Sequence, residues 1–187
     1  MTELKRGANV ALTREIPDLP GLVVGVRWKS GAERILDENL VVAAVLCDAG
    51  GKALSAEHFV FFNQLGEPGL SVSLLEQVLG EDAEQVEIDF AAVPPAISRI
   101  VVVLYLNEGT GLRRSLGRLR ELGVRALDPR DNRELVRSEN LAAVLNGETA
   151  LSLGEVYRHH GGWKFKVIGE SYPDGVLGLA KDYGVPL

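Results

Sequence analysis

The sequence is poor in the residues on which disulfide-stabilised, nucleic-acid-binding and membrane-spanning proteins depend. Its 187 residues include one cysteine, Cys47, so the chain cannot form an internal disulfide. Lys and Arg number 20 against 26 Asp and Glu, and the net charge of −6 argues against a surface that binds nucleic acid or an anionic membrane. No apolar run approaches the roughly 20 residues that cross a bilayer, and none follows the charged N-terminal residues as a signal peptide requires. We therefore expect a cytoplasmic protein without membrane insertion.

The motifs of common enzyme classes are also missing. The sequence has no GxSxG nucleophile elbow, no P-loop, no dinucleotide-binding glycine pattern, and neither HExxH nor paired CxxC. We therefore predict that the protein is not an enzyme. The three histidines are His58, His159 and His160. Successive residues of a strand point to opposite faces, so the adjacent pair is not expected to share a metal ion such as zinc.

The remaining composition is typical of a folded globular protein. Apolar residues make up 46% and charged residues 25%, and a chain of this length buries enough surface for one core, which predicts a single domain over 1–187. The 21 glycines separate short runs rich in Val, Leu, Ile and Phe, a pattern that favours strands and turns. Strands are predicted at 9–13, 22–28, 40–47, 57–63, 86–90, 100–106, 134–137, 154–160, 163–168 and 178–184.

Two segments predict helices. Residues 74–79 form a short apolar run that ends before Gly80, and leucines recur at helical spacing over 112–122, with arginines between them. The predicted fold class is thus mainly β, a two-sheet β-sandwich with a few short edge helices.

Acidic residues cluster in front of two predicted strands. Asp37, Glu38 and Asn39 precede the strand at 40–47. Asp82 and Glu84 precede the strand at 86–90. Oxygen-rich loops at one end of a sandwich are the usual way in which proteins hold calcium, so these residues are candidate metal ligands.

A separate set of basic residues indicates a different chemistry. The segment 113–120 carries four arginines, and the pair His159 and His160 lies in the C-terminal part of the chain. A hydrolase or a small-anion binder built on these residues is therefore a further hypothesis. A solvated helix face and structural histidines explain the same residues without any such function.

Several motifs occur in an order that is typical of one family. They are LKRGANV (4–10), GKALS (51–55), HFVFFN (58–63), AAVP (91–94), EVYRH (155–159), WKF (163–165) and GLAKDYGV (178–185). Together they span nearly the whole chain, which resembles the TerD family of bacterial tellurium-resistance and stress proteins. The resemblance implies a two-sheet β-sandwich and a non-enzymatic role in resistance to tellurite and other chemical stresses. It also implies tight calcium binding and association with paralogous TerD-like proteins or self-association.

The calcium loops of this chain depart from the family pattern. The first family loop reads Asp-x-Asp-x-Asp, and the corresponding positions here are Asp37, Asn39 and Val41. In the second loop Asp82 and Glu84 are retained, but most of the glycines are replaced by an apolar run. Because calcium affinity depends strongly on the number of charged ligands, we predict weak or lost calcium binding.

Two readings of function therefore compete. The first is a non-enzymatic TerD-like stress-response protein that acts as a binding or assembly module with degenerate calcium loops. The second is a functional calcium-binding TerD protein that uses Asp37, Asn39, Asp82, Glu84 and backbone carbonyls.

Overall fold

The strands of this chain are short and are joined by many turns, as the spacing of its glycines predicts. The computed structural model describes residues 2–32, 34–61, 64–66, 69, 71–78, 80–107 and 115–186. Within them lie three α-helices, α1 (Leu12–Glu15), α2 (Arg34–Asn39) and α3 (Gly175–Tyr183). The strands are β1 (Thr2–Leu4), β2 (Asn9–Ala11), β3 (Gly21–Lys29), β4 (Leu40–Cys47), β5 (Phe59–Val60), β6 (Val72–Leu74), β7 (Glu84–Asp89), β8 (Arg99–Leu106), β9 (Glu121–Leu127), β10 (Glu134–Ser138), β11 (Ala150–His159) and β12 (Gly162–Ser171).

The strands form two six-stranded sheets. Sheet A has the order β1-β10-β9-β3-β7-β6, and sheet B has the order β2-β12-β11-β8-β4-β5. The β1–β10 pair is parallel, and the other neighbouring pairs are antiparallel. The prediction of a mainly β, two-sheet sandwich with short helices is confirmed.

The core lies between the two sheets, and alternate residues of each strand supply it. In β3 Leu22, Val24 and Val26 face inward, while β4 contributes Leu40, Val42, Ala44 and Leu46 to the same cluster. The other face of β4 is also buried, because Val41, Ala43, Val45 and Cys47 belong to a second apolar cluster that includes residues of α3. This burial of both faces explains why β4 is continuously apolar.

The helix predicted at 112–122 is wrong wherever the structure describes it. Residues 112–114 lie outside the described residues, Leu116–Arg118 form one 3-10 turn, and β9 begins at Glu121. Leu116, Leu119 and Leu122 are buried, but Leu116 lies in a turn and Leu122 in a strand. Gly117 approaches the Asn146 carbonyl so closely that no side chain fits there, and such packing overrides the helical spacing.

Four other predicted elements differ from the structure. The strand predicted at 178–184 is wrong, because α3 occupies this segment and Gly184 caps its end. The helix at 74–79 is replaced by β6, which ends at Leu74 and pairs with β7, and by a bend after it; residue 79 lies outside the described residues. The strand at 9–13 ends at Ala11 because α1 begins at Leu12. The strand at 57–63 is reduced to β5 and the bridge residue Phe61, with 62 and 63 outside the described residues.

No helix within the described residues is long and apolar enough to cross a membrane.

Candidate functional site

The four predicted calcium ligands lie at two places in the fold. Asn39 is the last residue of α2, directly before β4, and Glu84 is the first residue of β7. Both line a cavity of about 470 Å³ at the end of the sandwich where these two strands begin. Asp37 lies on the exposed side of α2 and is not a lining residue, and Asp82 lies on the outer face of sheet A.

The cavity, which we call the acidic cavity, has polar and apolar walls. Its oxygen-bearing side chains come from Glu38, Asn39, Glu76, Glu84 and Asn107. The rest of the lining is apolar and consists of Leu40, Val41, Val42, Leu65, Leu74 and Leu75. Strand ends from both sheets line this cavity. At this end of sheet B, the backbone N–H of Asn107 donates to the Asn39 carbonyl over 2.9 Å.

The position of Glu84 at the wall of the acidic cavity changes the pKa of its carboxylate. It pairs with Val26 of β3, so its side chain lies on the face of sheet A that carries the core. Burial raises the pKa of Glu84, since a low-dielectric wall disfavours the charged form. A bound cation would oppose that effect.

Asp82 forms a buried ion pair instead of entering the acidic cavity. The Arg125 Nε lies 2.9 Å from one carboxylate oxygen of Asp82 and 3.0 Å from the other, and the Gln85 amide donates to the same carboxylate over 2.8 Å. The Asp82 side chain is 0% exposed. It lies directly over Gly25, where a side chain would overlap the carboxylate.

The ion pair continues across the outer face of sheet A. The Arg125 guanidinium also reaches Glu134 at 3.5 Å, and Arg137 contacts Glu134 at 2.7 Å. Burial of Glu134 opposes its ionisation, but the hydrogen bonds and charges of Arg137 and Arg125 outweigh that effect and lower the pKa of Glu134. We call Asp82, Arg125, Glu134 and Arg137 the outer-face ion-pair network.

The four residues predicted from sequence thus do not make one metal site. Two of them share the acidic cavity, one is exposed, and one is neutralised by an arginine. Within the described residues no group of three or more His, Cys, Asp or Glu side chains lies close enough to hold a metal ion. A calcium ion would have to rely on Asn39 and Glu84 with Glu38, Glu76, Asn107 and backbone carbonyls.

The adjacent histidines lie much closer together than predicted. Strand β11 ends at His159, and His160 has left the strand with a φ of 47°, so the two rings do not point to opposite faces. Their centroids are 4.0 Å apart in an edge-to-face arrangement. Both line a second cavity of about 510 Å³ beside the β11–β12 turn.

The structure does not bring the arginine segment to the histidines. Arg113 and Arg114 lie outside the described residues, and Arg118 and Arg120 are exposed. Neither of the latter two lines the cavity that contains His159 and His160.

The structure gives Arg158 a structural role that the sequence analysis did not predict. The Arg158 Nε donates to the Ile97 carbonyl over 2.8 Å, and its Nη2 donates to the carbonyls of Val93 and Pro94. The guanidinium also lies over the Trp163 ring at 4.5 Å. Arg158 therefore holds the AAVP segment against β11 and brings residues of the EVYRH, WKF and AAVP motifs into contact.

The GLAKDYGV motif coincides with α3 and its end. The Tyr172 hydroxyl donates to the Asp182 carboxylate over 2.8 Å, and the Ser152 hydroxyl lies 2.7 Å from the Tyr183 hydroxyl. Gly184 ends the helix with a φ of 67°, a conformation that glycine adopts without strain. The motif thus fixes α3 to sheet B, and its role is structural.

Comparison with known proteins identifies the same family as the resemblance of the motifs. Residues 1–183 match the TerD domain. The chain is 35% identical over 187 aligned residues to general stress protein 16U of Bacillus subtilis (strain 168), covering 97% of this chain and 96% of that one. It is 30% identical over 186 residues to tellurium resistance protein TerD of Serratia marcescens, with the same coverage of each chain.

A solved structure has the same fold. A homologue of telluride resistance protein TerD from Streptomyces coelicolor A3(2) superposes with a TM-score of 0.60 at 19% identity, covering 82% of this chain and 89% of that one. The fold, the order of the motifs and the full-length matches agree. The chain therefore belongs to the TerD family of tellurium-resistance and stress-response proteins.

Proposed function

We propose that this chain is a cytoplasmic, non-enzymatic binding or assembly module of the TerD stress response, and that it binds calcium weakly or not at all. Its partners would be paralogous TerD-like proteins or a second copy of the chain. The names of its relatives support the stress-response role, because they are a general stress protein and a tellurium resistance protein.

The observation that carries the proposal is the ion pair of Asp82. The Asp82 carboxylate accepts hydrogen bonds from Arg125 and Gln85, and the positive charge of Arg125 compensates its negative charge. The pair therefore attracts a cation only weakly. Freeing it for calcium would leave the Arg125 guanidinium in a partly buried position without its partner, and such separations are costly. One of the two acidic side chains retained in the second loop is therefore removed from the ligand set.

The other predicted ligands also favour weak binding. Asp37 lies outside the acidic cavity, and the Asn39 side-chain amide donates to the Ile35 carbonyl over 2.8 Å, which holds that side chain against α2. Val41 occupies a lining position where the family pattern has a carboxylate. Calcium takes six to eight oxygen ligands, and an apolar wall supplies none.

A specific observation favours the alternative of a functional calcium-binding protein. Glu38, Glu76 and Glu84 all line the acidic cavity, together with Asn39 and Asn107. Under this alternative Glu38 and Glu76 take the places of Asp37 and Asp82. The glutamate side chains do not lie close enough to share an ion in this structure, so they would have to move together around it. Glu84 then becomes the essential ligand.

Calorimetric titration of calcium into chelator-stripped protein distinguishes the two. We expect no saturable heat at micromolar calcium and no rise in melting temperature, since a ligand that binds only the folded state must raise it. Magnesium is the ion control. A calcium-selective isotherm that Glu84→Gln abolishes and Glu87→Gln retains would establish the alternative, because Glu87 lies on the same strand but is exposed on the opposite face.

The same variants test the proposed role in cells. Cells that lack this chain would be grown with tellurite after receiving the wild-type, Glu84→Gln or Glu87→Gln protein. We expect all three to restore tolerance equally, because the proposed function does not use calcium at the acidic cavity. Loss of tolerance in Glu84→Gln alone, with the protein still folded, would contradict the calcium-independent proposal.

A further inference from the structure

The cavity beside the β11–β12 turn is lined by basic side chains from three different elements. Arg14 comes from α1, His159 and His160 come from β11 and the turn after it, and Lys164 comes from β12. We call these four residues with Thr13 the basic pocket. The remaining lining residues are Ala11, Pro17, Gly161, Gly162 and Trp163.

The charge of the basic pocket is the opposite of the charge of the chain. Asp and Glu outnumber Lys and Arg by six in the sequence, yet no carboxylate is among the residues that line this cavity. Like charges that are placed close together repel, so such a group is disfavoured unless solvent or an anion compensates it. The acidic cavity, by contrast, is lined by three glutamates and no basic residue.

The backbone around the basic pocket is fixed rather than loose. The Trp163 amide N–H donates to the Thr13 hydroxyl over 2.8 Å, which joins α1 to β12. Gly162 packs so closely against Thr13 that any side chain at 162 would overlap its hydroxyl. His160 has a φ of 47° and is followed by Gly161 with a φ of 77°, so a non-glycine residue occupies the left-handed region at the rim. The backbone positions that carry the basic side chains are therefore fixed by the fold.

The surroundings of the histidines favour an anion over a metal ion. Two imidazoles with centroids 4.0 Å apart can in principle bind a metal, but Arg14 and Lys164 line the same cavity and would repel a cation. Loss of solvent around the ring, followed by the charges of His160 and Lys164, lowers the pKa of His159. Arg14 of α1 and Tyr157 of β11 are the other titratable groups nearby, and the Tyr157 ring centroid lies 6.5 Å from that of His159. An anion placed among these groups would reverse the repulsion that disfavours imidazolium.

From these contacts we propose that the basic pocket binds a small oxyanion through Arg14, His159, His160 and Lys164. Guanidinium, ammonium and imidazolium groups donate charge-assisted hydrogen bonds to the oxygens of such anions. The ligand chemistry is that of a tetrahedral or trigonal oxyanion, either free or as the terminal phosphoryl group of a larger molecule. This site is separate from the acidic cavity and does not depend on whether calcium binds there.

The test is a nuclear magnetic resonance titration of the full chain with sodium sulfate, with ionic strength held constant by sodium chloride. Sulfate keeps its charge across the range in which histidine titrates, so changes in pH report on the protein alone. The chain has three histidines, and the third, His58, serves as an internal control because it does not line the basic pocket.

We expect saturable shifts of the His159 and His160 ring resonances, no shift of His58, and a higher pKa of His159 in sulfate. Affinity should rise between about pH 8 and about pH 5.5, because protonation adds positive charge to the pocket. Lys164→Gln and Arg14→Gln should each weaken binding about two- to fivefold, the range for exposed ion pairs. Lys166→Gln is the matched control, since Lys166 lies on the same face of β12 and does not line the cavity.

Equal shifts of all three histidines, an absence of saturation, or unchanged affinity in both Lys164→Gln and Arg14→Gln would overturn the proposal. A parallel titration with glycerol 3-phosphate identifies the source of the oxyanion. Tighter binding of the phosphomonoester than of inorganic phosphate supports a phosphoryl group on a larger molecule, and the reverse order supports a free anion.

Discussion

Asp82 and Glu84 lie two positions apart in the sequence but serve opposite faces of sheet A. Asp82 is fully buried against Arg125 on the outer face, while Glu84 points to the core side and lines the acidic cavity. The bend at Ala83, whose amide N–H donates to the Val26 carbonyl, separates their directions. The comparison shows that a carboxylate can be retained in a sequence while an arginine of the same protein compensates its charge. Counting acidic residues therefore overestimates the number of ligands available to a metal ion.

The largest effect should follow from removing the compensated carboxylate. We expect Asp82→Ala to lower the free energy of unfolding by about 2–4 kcal/mol, because it leaves the partly buried Arg125 with only the longer contact to Glu134. Urea denaturation monitored by circular dichroism measures this value. Asp37→Ala is the control, since an exposed residue of α2 should change stability by no more than about 0.5 kcal/mol. Equal losses in both variants would show that the ion pair between Asp82 and Arg125 does not stabilise the folded protein.

A second variant tests the close packing over Gly25. Gly25→Ala places a methyl group where the Asp82 carboxylate lies, so it should lower the free energy of unfolding by about 1–3 kcal/mol through overpacking. The matched control is Gly123→Ala in the neighbouring strand β9, where the nearest atom would lie at an ordinary 3.4 Å. If Gly25→Ala proved no more harmful than Gly123→Ala in the same denaturation assay, Asp82 could move freely and would become available to a cation.

The smallest effect concerns Glu84 and depends on pH. Because its pKa is raised in the folded state, the folded protein binds this proton more tightly than the unfolded chain. The contribution of Glu84 to wild-type stability therefore falls as pH rises above the ordinary glutamate value of about 4.3. Glu84→Gln should remove that decrease, raising the free energy of unfolding at neutral pH by a few tenths of a kcal/mol, since solvent screens this half-buried group.

Paired denaturation at about pH 4 and about pH 7 measures this pH effect. The gain of the Glu84→Gln variant over wild type should be larger at the higher pH. Glu87→Gln, on the exposed face of the same strand, controls for the loss of a negative charge. A gain that is equal at both pH values, or larger at the lower one, would contradict the raised pKa of Glu84.

The fold could be predicted largely from local patterns. Strands β3, β4, β8, β11 and β12 were predicted because alternating or continuous apolar runs are bounded by glycine, proline or polar turns. Strand β9 was missed because Leu116, Leu119 and Leu122 also fit a helical spacing. The decision between the two depends on pairing with β3 and on the close approach of Gly117 to Asn146, which are distant in sequence.

The candidate site was less predictable for a related reason. Asn39 at the end of α2 and Glu84 at the start of β7 lie near one end of the sandwich, where the sequence places them before apolar strand residues. The partner of Asp82 is 43 positions away in β9, a strand that the sequence patterns did not identify, so its ion pair could not be expected. The basic pocket likewise joins Arg14 to Lys164 through a strand pairing that no local motif encodes.

The double-sided burial of β4 has a consequence for chemical durability. Cys47 ends this strand beneath α3, and burial raises the pKa of its thiol to about 12. Electrophiles and oxidants attack the thiolate, so the folded protein offers them almost none of the reactive form. The single thiol of this chain is buried in the folded protein, so it is a poor target for reagents that attack exposed thiols.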